Sequence, residues 1–124
     1  MTKPLALIIE DDSRLTEIFS LTLQGEFQVE VIEDGETALA RLATLTPALV
    51  VLDLHLPHVS GRTILAHIRD HERLNATRVM LTTADAQLAD QLRDNVDLVL
   101  LKPISVNQLH DLALRLRPPD TMLS

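Results

Sequence analysis

The stretch "ALVVLD", residues 48–53, indicates how this chain folds. Its five consecutive apolar residues leave no polar face, which is typical of a strand covered on both sides, as in a parallel sheet. Four more short apolar runs predict further strands: "LALIIE" (5–10), "FQVEVI" (27–32), "RVMLTT" (78–83) and "VDLVLL" (96–101). The run at 27–32 alternates apolar and polar residues, which predicts a half-exposed edge strand.

Amphipathic stretches separate the candidate strands and predict five helices. Apolar residues recur at helical spacing at 13–24, 34–47 (with Pro47 beyond the helix end), 60–70, 85–94 and 106–116. Ser13 is a candidate N-cap of the first helix, and Gly25 is a candidate stop. The alternation predicts an α/β fold, in which a doubly wound, five-stranded parallel sheet carries helices on both faces.

Composition limits the class of protein. With 124 residues, 46% of them hydrophobic, the chain suffices for one domain, which we assign to residues 1–118, with a tail at 119–124. The absence of cysteine excludes disulfides and thiolate metal sites. A formal net charge of −7 argues against direct binding to nucleic acid. Because no leader pattern or long apolar run occurs, we expect a cytoplasmic protein, monomeric or weakly dimeric.

Charged and hydroxyl side chains follow four of the five candidate strands. The side chains are those of Glu10, Asp11, Asp12, Asp53, Thr82, Thr83 and Lys102. Because ligands bind outside the carboxyl ends of the strands in such sheets, we expect these side chains to gather at one edge.

The residue types at this edge predict a chemistry. Neighbouring carboxylates repel each other, and a hard divalent cation such as Mg²⁺, which prefers oxygen ligands, relieves that repulsion. Lys102 is a point cation suited to holding an anion, and Thr83 supplies a hydroxyl donor. A metal, a lysine and a hydroxyl around one carboxylate are what phosphoryl transfer to that carboxylate requires, which makes Asp53 the natural nucleophile.

The motifs "IIEDD", "VVLDLHLPHVSG", "VMLTTAD" and "LLKPIS", in this order, resemble the receiver domain of two-component response regulators. The resemblance covers residues 4–117. It implies a flavodoxin-like three-layer sandwich with strand order 2-1-3-4-5, as in a chemotaxis regulator. It also implies a histidine kinase or phosphotransfer protein as phosphoryl donor and a downstream protein partner. Because only five residues follow Pro119, we expect a stand-alone receiver.

The resemblance implies a role for each matching position. Asp53 would accept the phosphoryl group, Thr83 would hydrogen-bond it and Lys102 would pair with it. The implied ligands of Mg²⁺ (or Mn²⁺) are Glu10 through water, Asp11, Asp53 and the backbone carbonyl of His55.

Further positions would modulate the reaction. Asp12 matches a less critical third acid, and Ala84 follows the threonine. His55 and Asp85 occupy the two positions that tune phosphoryl lifetime, where an acid either hinders incoming anions or orders a water. Pro103 is expected to follow a cis peptide bond that aims the lysine.

This chain departs from the family pattern between Thr83 and Lys102. Val99 replaces an aromatic residue that usually moves with the threonine, so we expect a smaller mechanical response to phosphorylation. The stretch is also short, so we expect a trimmed fourth helix. The charged pattern that pairs winged-helix regulators is mostly absent, so that dimer is not expected.

Three rival functions use similar residues. A haloacid-dehalogenase-like phosphatase needs a second acid two residues after its nucleophile, where this chain has His55. A flavin carrier of the same fold would meet three acids after its first strand, which repel the cofactor phosphate. A receiver-like adaptor would bind partners without phosphorylation; the acids, Thr83 and Lys102 argue against it, whereas Val99 argues for it.

Other polar residues have simpler interpretations. His67 and His71 stand four residues apart, a spacing that can bind zinc, but two exposed histidines on a polar helix face are the favoured interpretation. Thr82 is interpreted as a bystander, and Thr83 as a possible N-cap of the fourth helix. Gly61 either supports the loop after Asp53 or opens the third helix.

Overall fold

The computed structural model describes residues 2–119. The predicted tail lies outside this range apart from Pro119, so the domain boundary at residue 118 stays a prediction. Five strands form: β1 Leu5–Ile9, β2 Gln28–Ile32, β3 Leu49–Asp53, β4 Arg78–Thr83 and β5 Leu98–Leu101. All neighbours pair in parallel in the order β2-β1-β3-β4-β5, which confirms the predicted doubly wound sheet.

Helices connect the strands in the predicted order. They are α1 Ser13–Leu23, α2 Gly35–Leu42, α3 Gly61–Asp70, α4 Ala86–Leu92 and α5 Val106–Leu116, with 3₁₀ turns at Glu72–Leu74 and Arg93–Asn95. A side-chain oxygen begins each α-helix by accepting a backbone N–H, and the capping residues are Asp12, Asp34, Ser60, Asp85 and Ser105. The predicted trimming of the fourth helix is confirmed, since α4 has seven residues.

Two predictions about α1 were wrong. Ser13 is the first helical residue rather than the N-cap, because the Asp12 carboxylate accepts the Arg14 N–H at 2.9 Å. Gly25 lacks the left-handed conformation of a glycine stop, and α1 closes on backbone hydrogen bonds instead.

The predicted second helix was too long, because α2 ends at Leu42. The Arg73 guanidinium, on the turn after α3, donates to the carbonyl oxygens of Leu42 and Leu45, the latter at 2.7 Å. These carbonyls lack helical partners, and a cation beside them stabilises the helix end. The arginine lies 28 and 31 residues away along the chain, so no local pattern predicts the contact.

The two faces of the sheet carry separate apolar clusters. Leu7 and Val50 pack with residues of α2, α3 and α4 on one face. Ile8 and Val51 pack with residues of α1 and α5 on the other. Each fully buried aliphatic side chain contributes roughly 1.5–3 kcal/mol of hydrophobic free energy. Burial on both faces explains why β3 carries no polar residue before Asp53.

Candidate functional site

Four strands bring polar side chains to the carboxyl edge of the sheet, the edge at which the strands end. Lys102 follows β5 and reaches across the edge, so that its Nζ lies 3.0 Å from Glu10 Oε1 and 3.4 Å from Asp53 Oδ1. The Glu10 and Asp53 side chains are only 1% and 3% exposed. The predicted gathering of strand-end residues is therefore confirmed for these three.

Three carboxylates form a cluster that suits a divalent cation. One oxygen from each of Glu10, Asp11 and Asp53 lies within 4.8 Å of the others. Asp11 is exposed, whereas the other two acids are buried, so the cluster opens to solvent on one side. All-oxygen ligands with an open side for water are what Mg²⁺ favours. The donor set therefore fits the predicted metal.

Burial and charge shift the protonation of this cluster. Burial raises the pKa of Glu10 to about 7, against the opposing hydrogen bonds from the Asp12 N–H and from Lys102. Burial also opposes the charge of Lys102, but its hydrogen bond and ion pair with Glu10, followed by its contacts with Asp53, raise its pKa overall. The lysine therefore stays positively charged between the two acids.

The chain after β1 holds Glu10 in place. The Asp12 N–H donates to Glu10 Oε2 at 3.1 Å, which orients that carboxylate. The Asp12 carboxylate, in contrast, caps α1 and is exposed. Asp12 therefore has a structural contact that sequence analysis missed, while its modulating role stays a prediction.

The start of α3 packs directly against the backbone of β3. The Gly61 N–H donates to the Leu54 carbonyl at 3.1 Å. A Cβ atom on Gly61 would lie 2.7 Å from Leu54 Cα and closer still to the carbonyl of Asp53. Both interpretations of Gly61 are confirmed, because it opens α3 and lets the helix approach Asp53.

Thr83 is fully buried at the end of β4, where its Oγ1 accepts the Asp85 N–H at 3.0 Å. Its interpretation as the N-cap of the fourth helix was wrong, because Asp85 caps α4 by accepting the Leu88 N–H at 3.0 Å. Thr82 donates to the Leu52 carbonyl at 3.4 Å, within the sheet. The two threonines therefore have different partners, and the roles of Thr83 as a site residue and of Thr82 as a bystander stay predictions.

Other predicted positions lie around the same edge. The peptide bond between Lys102 and Pro103 is cis, as predicted. The His55 N–H donates to Asp53 Oδ1 at 3.4 Å, whereas the role of its carbonyl as a metal ligand stays a prediction. Ala84 is exposed at the start of the turn into α4. Val99, which pairs with Leu81, is half-buried against the apolar cluster on the α2–α4 side.

The histidine pair differs from the predicted pair of exposed side chains. The rings of His67 and His71 stack with centroids 4.0 Å apart, and His71 Nδ1 lies 2.6 Å from the His67 carbonyl oxygen. His67 is half-buried, and its Nε2 has no hydrogen-bond partner among residues 2–119. Burial, followed by the charges of His71 and Arg73, lowers the pKa of His67. Stacked rings do not direct two nitrogens at one metal ion, so a zinc site is not supported.

A contact network missed by sequence analysis lies at the opposite edge. Asp97, just before β5, bonds Arg69 at 3.2 Å, Arg78 at 3.0 Å and the Val79 N–H at 2.8 Å. Arg69 also donates to the Asn95 carbonyl at 2.7 Å. These partners are far apart in sequence, so no motif predicted them.

Across residues 2–119, no helix is long and apolar enough to span a bilayer.

Comparison with known proteins identifies relatives. The family model described as "Response regulator receiver domain" matches residues 6–114. The DNA-binding dual master transcriptional regulator RpaA of Synechocystis sp. is 33% identical over 110 residues, which are 86% of this chain and 46% of RpaA. Transcriptional regulatory protein TrcR of Mycobacterium tuberculosis is 33% identical over 106 residues, covering 83% of this chain and 41% of TrcR. The chain thus spans less than half the length of these curated relatives.

Solved structures show the same architecture. The bacteriophytochrome response regulator RtBRR superposes with a TM-score of 0.81 at 25% identity, covering 98% of this chain and 88% of that one. The chemotaxis response regulator CheY4 of Vibrio cholerae superposes with a TM-score of 0.83 at 21% identity, covering 93% of this chain and 99% of that one. These matches confirm the flavodoxin-like arrangement and the strand order described above.

Proposed function

Because this chain belongs to the family of response regulator receiver domains, we propose that Asp53 accepts a phosphoryl group from a histidine kinase or phosphotransfer protein. The observation that carries the proposal is the contact of Lys102 Nζ with both Glu10 and Asp53, beside the three-carboxylate cluster. This arrangement places one nucleophilic carboxylate next to a fixed positive charge and a cation-binding set of oxygens.

Each side chain has a separate role in the proposed transfer. An Asp53 carboxylate oxygen attacks the phosphorus of a phosphohistidine, the phosphorus–nitrogen bond breaks, and the nitrogen of the donor keeps the electron pair. Lys102 pairs with the negative oxygens of the transferred group, and the Thr83 hydroxyl donates to one of them. We assign the domain no reaction on an external substrate, although these residues also promote its own phosphorylation and dephosphorylation.

A divalent cation completes the proposed site. Glu10, Asp11, Asp53 and the His55 carbonyl would hold Mg²⁺ or Mn²⁺, Glu10 through water. The cation would neutralise charge on the transferred oxygens. The buried acids need this neutralisation when both are ionised, because two charged carboxylates facing one ammonium group leave a net negative charge.

The broader features of the proposal rest on the family. We infer that phosphorylation alters the surface formed by the turns after β4 and β5, and that a partner protein reads this change in the cytoplasm. Action as a monomer or weak dimer without direct nucleic-acid contact stays a prediction. The names of RpaA and similar relatives include DNA binding, so this prediction needs its own experiment.

Acetyl phosphate and Mg²⁺ provide the test of phosphorylation. We expect intact-mass analysis to show one added phosphoryl group on the wild-type protein, less when EDTA replaces Mg²⁺, and none on Asp53→Asn. Thr83→Ala and Lys102→Met should accumulate it more slowly. An unmodified wild type would refute the proposal, and an adduct on Asp53→Asn would refute the assignment of the residue.

A receiver-like adaptor is the second candidate function. Val99 in the aromatic position favours it, because this side chain offers little to transmit a movement of Thr83. An adaptor would bind its partner with equal affinity before and after treatment with acetyl phosphate. The phosphoacceptor proposal requires the two affinities to differ.

A further inference from the structure

A groove of about 860 Å³ lies at the amino edge of the sheet, the edge at which the strands begin. The starts of β1 and β4, the residues preceding β3 and β4, and the end of α5 line it. We call it the arginine groove, because its charged lining residues are Arg73, Arg78, Arg115 and Arg117. Five-residue β3 spans the sheet, so at about 3.3 Å per residue the groove and Asp53 are roughly 15 Å apart.

The charge of the groove contrasts with that of the molecule. Four of the nine arginines of this chain line it, and no acidic residue within 2–119 does, although the formal net charge is −7. Two acids outside the lining contact these arginines: Asp97 pairs with Arg78 at 3.0 Å, and Glu26 lies 4.0 Å from Arg117. The groove therefore concentrates positive charge on an otherwise acidic protein.

Three of the arginines have structural contacts that hold them beside the groove. Arg73 donates to the carbonyls at the end of α2, Arg117 donates to the Glu26 carbonyl at 3.1 Å, and Arg78 uses Nη1 for Asp97. The end of α2 accounts for the contact of Arg73, since cations stabilise helix carboxyl termini. A guanidinium carries five N–H donors, so the contact of Arg78 Nη1 with Asp97 leaves further donors on that side chain.

Arg115, in the last turn of α5, makes no such contact with the part of the chain that the structure describes. It is exposed near the end of α5, and within residues 2–119 it makes no hydrogen bond or ion pair. An arginine with no acid or carbonyl to hold, placed beside three fixed arginines, favours an anion as its partner. The carboxyl end of a helix attracts cations in general. Arg73, Arg78 and Arg117, however, already place positive charge along this edge.

The remaining lining gives the groove an apolar wall. Pro4, Pro47, Pro118 and Pro119 surround it, together with Leu116. Proline rings have few internal rotations, so they form a wall that loses little entropy when a ligand binds. The volume falls within the range of small-molecule pockets. A groove with an apolar wall and several forked cations fits a small ligand that has an apolar body and more than one negative group.

We propose that the arginine groove binds a small molecule carrying two or more phosphate groups, the class that includes nucleoside di- and triphosphates. Guanidinium groups match phosphate oxygens in bidentate geometry. Several guanidinium groups carry more positive charge than a ligand with a single carboxylate would neutralise. The proline wall contacts the nonpolar part of the ligand. This site goes beyond the proposed phosphoacceptor function, because it uses the opposite edge of the sheet and none of the same residues.

Calorimetric titration of the full chain with ATP tests the proposal. EDTA is present and Asp53→Asn is used in parallel, so that the carboxyl edge contributes no phosphate binding. We expect saturable one-site binding to both proteins that weakens as salt rises. Arg115→Ala should raise the dissociation constant roughly tenfold, the loss of one charge-assisted contact. Arg93→Ala, which removes an exposed arginine from the turn after α4, is the matched control and should leave the constant unchanged.

Two smaller probes separate the parts of the ligand. Pyrophosphate should bind in competition with ATP, and adenosine should bind far more weakly than either. Adenosine binding as tightly as ATP would overturn the phosphate assignment. Absence of saturable ATP binding, or a constant unaffected by Arg115→Ala in a variant that melts at the wild-type temperature, would overturn the site. Phosphorylation of Asp53 by acetyl phosphate is measured on the same samples, so failure of the groove and failure of the proposed function are distinguishable.

Discussion

A single ammonium group stands between two buried carboxylates at the candidate site. Lys102 Nζ donates to Glu10 and Asp53, the same acids that would hold a divalent cation. Without the lysine, these two buried acids lose their positive partner, since a charge in low-dielectric surroundings is costly when unpaired. Lys102 and the proposed cation would therefore both neutralise this pair of acids.

Replacement of Lys102 should make stability depend on magnesium. For Lys102→Met in EDTA, we expect the free energy of unfolding to fall by about 1–3 kcal/mol, because buried charged acceptors are left unpaired. Added Mg²⁺ should then stabilise the variant more than the wild type, because the cation binds the folded state and replaces the missing charge. Urea unfolding with EDTA and with Mg²⁺ measures both effects. Lys3→Met, which removes an exposed lysine bonded to the Gln24 carbonyl, is the control; an equal magnesium gain in all three proteins would contradict the argument.

Glycines 61 and 25 offer a matched pair of substitutions. In Gly61→Ala the new methyl group would meet the Leu54 Cα at 2.7 Å, where the neighbouring atoms are backbone and cannot rotate away. We expect a loss of about 1–3 kcal/mol in unfolding free energy and slower phosphorylation, because α3 is pushed off the backbone of Asp53. Gly25→Ala meets nothing within 4 Å and should change stability by less than about 0.5 kcal/mol. Thermal melts and acetyl phosphate kinetics on both variants check this, and equal effects would refute the role given to Gly61.

At the scale of whole elements, α3, β4 and β5 are joined by charge rather than by sequence proximity. Asp97 accepts from Arg69, from Arg78 and from the Val79 N–H, and Arg69 adds a bond to the Asn95 carbonyl. The network fixes the starts of β4 and β5 and the turn after α4. At the other end of β4, the Thr83 side chain accepts the N–H of Asp85, the residue that caps α4.

The stability given by Asp97 should depend on pH. Burial raises the pKa of Asp97, but the Val79 N–H and the arginines outweigh burial and lower it below the ordinary value of 3.8. A carboxyl with a lowered folded-state pKa stabilises the fold above its unfolded-state pKa, and this contribution disappears as pH falls through the folded value. We expect Asp97→Asn to cost about 1–3 kcal/mol at pH 7 and progressively less as pH falls below 3.8. Chemical unfolding across this pH range, with exposed Asp94→Asn as control, measures the difference; a pH-independent cost would contradict it.

For the whole molecule, the sequence predicted what local patterns determine. Two-sided burial of "ALVVLD" and the alternation of strands with helices predicted the parallel sheet, whereas its strand order was implied by the resemblance to receiver domains. The strand ends predicted that acids and Lys102 gather at one edge, but not which acids the lysine contacts. The missed features depend on contacts distant in the chain: Arg73 at the end of α2, and Asp97 with its arginines. The Asp12 cap was missed because Ser13 beside it is an equally good capping residue by type.

The Asp97 network holds the starts of β4 and β5, whereas the end of β4 has no such network among residues 2–119. This difference predicts where phosphorylation would change the molecule. Thr83 lies between the proposed phosphoryl site and the turn that begins α4, and its Oγ1 accepts the N–H of the residue that caps this helix. If the Thr83 hydroxyl turns to a phosphoryl oxygen, as proposed, this hydrogen bond would weaken and the start of α4 would lose support. We expect Val99, which lies within β5, to couple a movement of Thr83 to this strand only weakly, because its side chain is small.

Hydrogen exchange should therefore change at α4 more than at α5. After treatment with acetyl phosphate and Mg²⁺, we expect faster amide exchange at Ala86–Leu92 and little change at Val106–Leu116, because α5 is capped by its own Ser105 and packs on α1. Exchange followed by mass spectrometry on phosphorylated protein, untreated protein and treated Asp53→Asn measures this. Thr83→Ala, which lacks the hydroxyl, should lose the difference between treated and untreated protein while still gaining the phosphoryl group slowly. A response as large at α5 as at α4 would show that the signal travels through β5, and Val99 would then have to carry it.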